Sequence, residues 1–257
     1  MKTFLDTALT AARASAEVIK GYYRQNFEVE VKSDQTPVTV ADREAEQVIR
    51  RILLEAYPDH GFYGEESGQA NLDSEYLWLV DPIDGTKSFV AGYGMFSTQI
   101  ALMHRGDLVL GVSSAPAHDE LAWATKGGGA FLDGKPIEMR HIEKLSEAAL
   151  STGNIQSLAA SSRWTGLGHI LARVNRTRGY GDYYHYHRLA AGQLDAVIES
   201  DVNILDIAAL VVIVREAGGV FTDLDGHAPG LETTSVIAAT SPIHTTLLKY
   251  LNKKGSL

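Results

Sequence analysis

Cysteine is absent from the 257 residues. That excludes disulfides, thiolate nucleophiles and cysteine-ligated zinc, and it fits a reducing, cytoplasmic setting. No apolar run approaches the roughly 20 residues of a membrane span, so no membrane partner is expected. The N-terminus, Met1-Lys2-Thr3-Phe4-Leu5-Asp6, lacks a basic stretch followed by a long apolar one, and no secretory signal is expected. Positive charge is in deficit. Lys and Arg number 23 against 32 Asp and Glu, a net charge of −9, which disfavours nonspecific nucleic-acid binding. Internal repeats and low-complexity segments are also missing.

What is present is an ordinary globular composition, 45% apolar and 21% charged. The length allows one large domain, or two intimate subdomains meeting near residue 145 (1–145 and 146–257) without a flexible linker. Residues 5–25 carry Leu5, Ala8, Leu9, Ala12, Ala16 and Ile19 at helical spacing. Phe27 to Lys32 alternates as a strand and ends in a polar loop over 33–37. A second helix is expected over 42–57, with Asp42 near its N-cap. Strands at Thr98–His104, Leu108–Ser113 and Leu121–Thr125 predict an antiparallel meander, and Asp133-Gly134 predicts a hairpin turn. After residue 145, strands at 149–152, 177–180, 196–199, 220–222 and 235–239 alternate with helices at 163–174, 183–192, 206–217 and 242–253. The implied class is a layered α/β (mixed α+β) fold.

Carboxylates gather where apolar elements end. Tyr76 to Val80 is an apolar run that delivers Asp81 and Asp84, followed at once by Gly85-Thr86. Phe62-Tyr63-Gly64 delivers Glu65 and Glu66, and the helix over 206–217 begins with Asp206. Charges at the edge of a core are costly unless a counter-charge meets them. Oxygen-only ligands suit a hard cation such as Mg²⁺. A turn that opens a helix after Asp84 offers backbone N–H groups to phosphate. A metal-dependent phosphatase centred on Asp81, Asp84 and Thr86 follows.

Competing motifs fail on spacing. Lys126-Gly127-Gly128-Gly129 lacks the G-x-x-x-x-G-K pattern of a P-loop. An aspartyl-phosphate phosphatase needs D-x-D-G-T, whereas here D-x-x-D-G-T puts Pro82 in the nucleophile's place. Asp223-Leu224-Asp225-Gly226-His227 has that spacing but ends in His, and reads as a turn. His185 and His187, two apart on a helix, face different ways and read as surface or pocket residues rather than a zinc pair. Ser67 and Ser88 lack a nucleophile-elbow context.

Gly64-Glu65-Glu66, Asp81-Pro82-Ile83-Asp84-Gly85-Thr86 and Asp206-Ile207-Ala208-Ala209, in this order, resemble the inositol monophosphatase superfamily of Mg²⁺-dependent, lithium-sensitive phosphomonoesterases. Thr36 to Asp42, Ser114-Ala115-Pro116-Ala117 and Arg178 to Tyr184 resemble its histidinol-phosphate phosphatases. The resemblance implies an αβαβα sandwich, a homodimer and a small phosphorylated metabolite as substrate. It places Glu65, Asp81 and the Ile83 carbonyl on one Mg²⁺, Asp81, Asp84 and Asp206 on a second, and a third near Glu65. Thr86, hydrogen-bonded to Asp42, acts with Glu65 on the attacking water. Gly85 and Thr86 N–H groups receive phosphate, and Gly181, Asp182 and Glu199 face the organic part of the substrate. Histidinol phosphate is the leading substrate; inositol 1-phosphate or other small polyol phosphates are the alternative, and a non-catalytic binding protein is the rival of another class. Leu205 departs from the family's usual Trp before the metal Asp.

Overall fold

The computed structural model describes residues 1–25, 29–31 and 37–253. In chain order its elements are α1 (Lys2–Tyr22), β1 (Val29–Val31), β2 (Pro37–Thr39), α2 (Val40–Ala56), β3 (Gly61–Gly64), β4 (Gly68–Ala70), β5 (Tyr76–Asp84) and α3 (Thr86–Val90). There follow β6 (Ser97–His104), β7 (Asp107–Ala115), β8 (Glu120–Thr125), β9 (Ala130–Leu132), β10 (Lys135–Ile137) and β11 (Ala149–Thr152). The remainder is α4 (Gln156–Ala159), α5 (Trp164–Leu171), β12 (Arg176–Arg178), α6 (Asp182–Ala190), β13 (Ala196–Ser200), α7 (Ile204–Glu216), β14 (Val220–Thr222), β15 (Ser235–Ala239) and α8 (Ser241–Leu251). Of the strand expected over 27–32, Val29–Val31 is described; residues 27, 28 and 32, and the loop over 33–36, lie outside the described residues.

Two sheets carry the fold. The first has eight strands in the order β10-β9-β8-β7-β6-β5-β3-β4, antiparallel except where β3 runs alongside β5. The second has the order β12-β11-β13-β15-β14, with the β12, β11 and β13 trio parallel and the rest antiparallel. Period-2 alternation sends successive side chains of β5 to opposite faces. Trp78 and Val80 pack with Ala8 and Ala12 of α1 and Ile49 and Leu53 of α2. Leu77 and Leu79 pack on the other side with α6, α7 and the inner face of the second sheet. Leu150, Ile198 and Ile237 then meet Leu158, Leu167, Ile243 and Leu247 of α4, α5 and α8. The order of layers is αβαβα.

Helix α7 is buried almost all round, from Ile204 and Leu205 to Val214, as a helix between two sheets must be. It approaches β7 so closely that a Cβ on Gly111 would strike the Ala209 carbonyl. The atoms it would meet are all backbone of Ala209, which does not yield cheaply. Gly111→Ala is therefore expected to destabilise the fold by about 1–3 kcal/mol, read as a Tm drop of about 2–4 °C per kcal/mol in a chain of this size. An unchanged Tm would contradict this packing.

Local geometry sharpens several expectations. Asp133 (φ 50°) and Gly134 (φ 78°) form the two-residue hairpin joining Leu132 to Lys135. The glycines after Lys126 hold no phosphate: Gly127 and Gly129 N–H groups each donate to the Glu216 carboxylate at 2.9 Å. Asp223 Oδ1 accepts from the N–H groups of Asp225 and His227, which makes that segment a turn. His185 and His187 do face different ways, but both are fully buried, so neither is a surface residue.

Candidate active site

Strand β5 does not stop at Val80; it runs on through Asp84. Asp81 stands opposite Gln99 and Asp84 opposite Ser97, so three residue steps on β5 match two on β6. In a regular strand, residues three apart point to opposite faces. The one-residue bulge corrects this and turns both carboxylates to the same side. Pro82, which has no N–H to lose from the ladder, sits inside the bulge, and Thr98 Oγ1 donates to its carbonyl at 2.8 Å. Ile83 N–H folds back on Asp81 Oδ1 at 2.9 Å.

Asp206 arrives from the other half of the chain. Helix α7 starts two residues before it, with Asn203 as N-cap, and Asp206 occupies the third helical position of a capping box. Its oxygens accept from Asn203 N (2.8 Å) and Asn203 Nδ2 (2.7 Å). One carboxylate oxygen each from Asp81, Asp84 and Asp206 lies within 4.8 Å of the other two. Helix α2 repeats the device: Thr39 is its N-cap and Asp42 the third position. Asp42 Oδ2 accepts from Thr39 N (2.7 Å) and Thr39 Oγ1 (2.6 Å), which leaves Oδ1 for Thr86 Oγ1 at 3.2 Å. The same hydroxyl lies 2.9 Å from the Ile83 carbonyl. Having one hydrogen, it donates to one of these at a time and keeps its lone pairs for the site. Gly85, at φ 87°, makes the turn into α3, and a Cβ there would stand 2.7 Å from the Met95 carbonyl.

Glu65 follows β3, and its N–H donates to Val80 O at 3.1 Å, which ties its turn to β5. A residue that sequence reasoning passed over holds this turn. Glu46, one helical turn after Asp42 and only 1% exposed, accepts from Glu66 N (2.8 Å) and Ser67 N (2.7 Å). Its signal was available: two acids at i, i+4 on the buried face of α2. Gly64 has no side chain because a Cβ would meet the Glu46 carboxyl at 2.6 Å.

Like charges dominate the electrostatics. Burial, then Glu65, Asp84 and Asp206, push Asp81 well above the usual carboxylate range. Burial, then Asp182, Asp206, Glu199 and Glu65, do the same to Asp84. Asp206 rises to about 7 through burial, with Glu65 and Glu199 adding to it against the Asn203 hydrogen bonds. Burial also raises Asp42, against its bonds to Thr39. Among the described residues no lysine or arginine forms an ion pair with the three aspartates; Ile83 N, Ser97 Oγ and Asn203 donate to them, and Glu65 shares a side-chain hydrogen bond with Asp81. A hard divalent cation fits this donor set, all oxygen and lacking a counter-charge.

Gly181 (φ 73°) caps α6, and Asp182 follows at φ 47°. Burial, and then Glu199, lift Asp182 to about 6, against His185. Glu199 is 2% exposed and already engaged. Its Oε1 accepts from Asn154 N at 3.0 Å and its Oε2 from Tyr186 Oη at 2.7 Å, with His185 Nε2 at 3.2 Å. What Glu199 presents to the cleft is therefore chiefly its charge. Leu205 is buried in the central cluster between the sheets, directly before Asp206.

The model of the inositol monophosphatase family matches residues 1–256. The chain belongs to that family. A histidinol-phosphatase from Streptomyces coelicolor is 36% identical over 254 residues, covering 95% of this chain and 94% of its own. An inositol-1-monophosphatase from Mesorhizobium japonicum is 35% identical, covering 89% and 88%. The extragenic suppressor protein suhB from Bartonella henselae superposes with a TM-score of 0.89 at 31% identity, over 98% of this chain and 100% of that one. The chain is thus a phosphatase of the inositol monophosphatase family, with an acidic cluster able to hold metal. Among the described residues, no helix is long and apolar enough to cross a membrane.

Proposed function

We propose that this phosphatase hydrolyses L-histidinol phosphate to L-histidinol and inorganic phosphate, with Mg²⁺ as cofactor and lithium as an inhibitor. The observation that carries the substrate is Asp182 beside Glu199, an acidic pair next to the aspartate trio and suited to an amine and an imidazole. In this reading Glu65, Asp81 and the Ile83 carbonyl hold one Mg²⁺ and Asp81, Asp84 and Asp206 another, with a weaker third beside Glu65. When bound, these cations supply the charge that acidifies water and neutralises the leaving alkoxide.

The chain's own residues do the rest. Thr86 Oγ1, its hydrogen directed to Asp42 or the Ile83 carbonyl, offers a lone pair to the attacking water. Glu65, tied to β5 through its N–H, takes up the proton as the water oxygen bonds to phosphorus and the ester P–O bond breaks, and the leaving alkoxide draws a proton from solvent. N–H groups at the Gly85-Thr86 turn receive phosphate oxygens, because the first turn of a helix leaves them without intrahelical partners. Asp182, at the start of α6, pairs with the cationic end of the substrate, and Glu199 adds negative potential behind it.

A second reading, inositol-1-phosphate hydrolysis, is supported by the inositol-1-monophosphatase relative, with Asp182 then accepting from hydroxyls. A kcat/KM panel of histidinol phosphate, myo-inositol 1-phosphate and adenosine 3′,5′-bisphosphate separates the two. Histidinol phosphate is expected to lead by about tenfold or more, equivalent to about 1.4 kcal/mol, and Asp182→Asn to shrink that lead. An inositol phosphate at the head of the panel would overturn the substrate assignment and leave the reaction class standing.

A further inference from the structure

Behind Asp84 a file of polar side chains crosses an otherwise apolar layer. Ser97 and Gln99 on β6, Ser113 on β7 and His187 on α6 are each no more than 1% exposed. Buried polar groups are costly unless hydrogen-bonded, and these are bonded to one another. Gln99 Nε2 donates to Ser97 Oγ at 2.7 Å and to Ser113 Oγ at 3.1 Å. Ser113 Oγ lies 2.8 Å from His187 Nε2, and His187 Nδ1 lies 2.6 Å from Glu120 Oε1. Arg188 holds Glu120 Oε2 at the outer end. At the inner end Ser97 Oγ donates to Asp84 Oδ2 at 3.4 Å.

Valence sets the direction of every bond. Burial raises Glu120, but His187 and Arg188 outweigh it and hold the carboxyl at about 2, so the outer anchor is an anion. An anion there requires a hydrogen on His187 Nδ1. Burial lowers the imidazole's own proton affinity, against Glu120, so Nε2 stays bare and accepts from Ser113. Ser113 has then used its only hydrogen, and its oxygen calls for a donor, which the Gln99 amide nitrogen supplies. The second amide hydrogen goes to Ser97, whose own hydrogen is left to point at Asp84. Flipping the Gln99 amide would set its oxygen, which has no hydrogen-bond partner here, between the two serines. Ser97 would then turn its hydrogen inward, and Asp84 would lose the bond.

We propose that Glu120 and His187 are positioning residues for Asp84, acting through Ser113, Gln99 and Ser97 to fix its carboxylate for a divalent cation. This rests on the reading of Asp84 as a metal-site residue. Outer partners of metal ligands typically alter affinity by about 10–100-fold. Mn²⁺ binding, followed by electron paramagnetic resonance without substrate, reads the effect directly.

Ser113→Ala, which touches no proposed ligand, is expected to weaken Mn²⁺ about tenfold and raise the Mg²⁺ concentration needed for activity, leaving KM for the ester nearly unchanged. Ser97→Ala should do the same, and the double variant should be no worse than Ser97→Ala alone, as members of one chain behave. His187→Gln, which keeps a donor and an acceptor, should restore part of what His187→Leu loses. If Ser113→Ala lowers Tm but binds Mn²⁺ like the wild type, the file is merely structural and the proposal fails. Effects that multiply in the double variant would overturn it equally. Wild-type protein that takes up no Mn²⁺ would overturn the metal reading itself, a result distinct from the other two.

Discussion

Asp84→Asn is expected to lower kcat/KM by more than about a hundredfold while the protein still folds. Outer partners of a metal ligand alone cost about 10–100-fold, and Asp84 stands in the first rank, one of three aspartates whose oxygens lie within 4.8 Å of one another. Asparagine matches its shape, and the Ser97 hydroxyl can still donate to the amide oxygen. The charge and one ligand oxygen are lost, the latter to an NH₂ that cannot hold a cation. Because burial and four neighbouring acids already penalise that charge, the metal-free variant should be at least as stable as the wild type. Kinetics with Mg²⁺ together with thermal melts in chelator test both halves. Full activity in Asp84→Asn would sink the proposed mechanism.

Stability of the metal-free protein should fall as pH rises from about 6.5 to 8, the reverse of an ordinary acid-sensitive domain. Asp206 titrates at about 7 in the fold against about 3.9 in an unfolded chain, and Asp81 and Asp84 shift the same way. From about 6.5 upward these carboxylates bind more protons in the folded state than in the unfolded one, so each step up in pH favours unfolding; below that, buried His60, His187 and His244, held under the usual imidazole range, pull the other way. The contribution is complete below the unfolded value and gone once pH passes the folded one. In chelator, Tm at pH 6.5 should exceed Tm at pH 8 by several degrees, at about 2–4 °C per kcal/mol. Mg²⁺ should restore the loss at pH 8 and do less at pH 6.5, where protons compete for the same oxygens. Asp206→Asn should flatten the profile. A Tm in chelator that climbs with pH would contradict the site's electrostatics.

Much of this was legible because it was local. Alternation marked the strands of the meander, Asp133-Gly134 marked its hairpin, and acids at element ends marked the cluster. Local reading failed where tertiary partners decided. The apolar run over Tyr76–Val80 reads as a strand that delivers Asp81 and Asp84 at its end, yet the bulge opposite Gln99 and Ser97 lets β5 continue through Pro82 to Asp84. Asp42 and Asp206 read as helix starts, whereas the helices begin two residues earlier and hold these acids at their third positions. Nothing near His187 in the chain announces Glu120, 67 residues away, as the partner that lets an imidazole be buried. Ser97-Thr98-Gln99, a polar run in an otherwise apolar strand, was the one visible trace of the file behind Asp84.

The two capping boxes carry a consequence for folding. Asp206 binds the N-cap residue of its own helix while standing in the cluster, and Asp42 binds that of α2 while accepting from Thr86. Whatever draws on these carboxylates also grips the first turns of α2 and α7, two segments more than 160 residues apart in the sequence. Occupancy of the cleft and the winding of those two turns are consequently one linked equilibrium. Fraying at either helix start weakens the grip on a ligand, and a ligand in turn fastens together two distant stretches of the chain, as a clasp does.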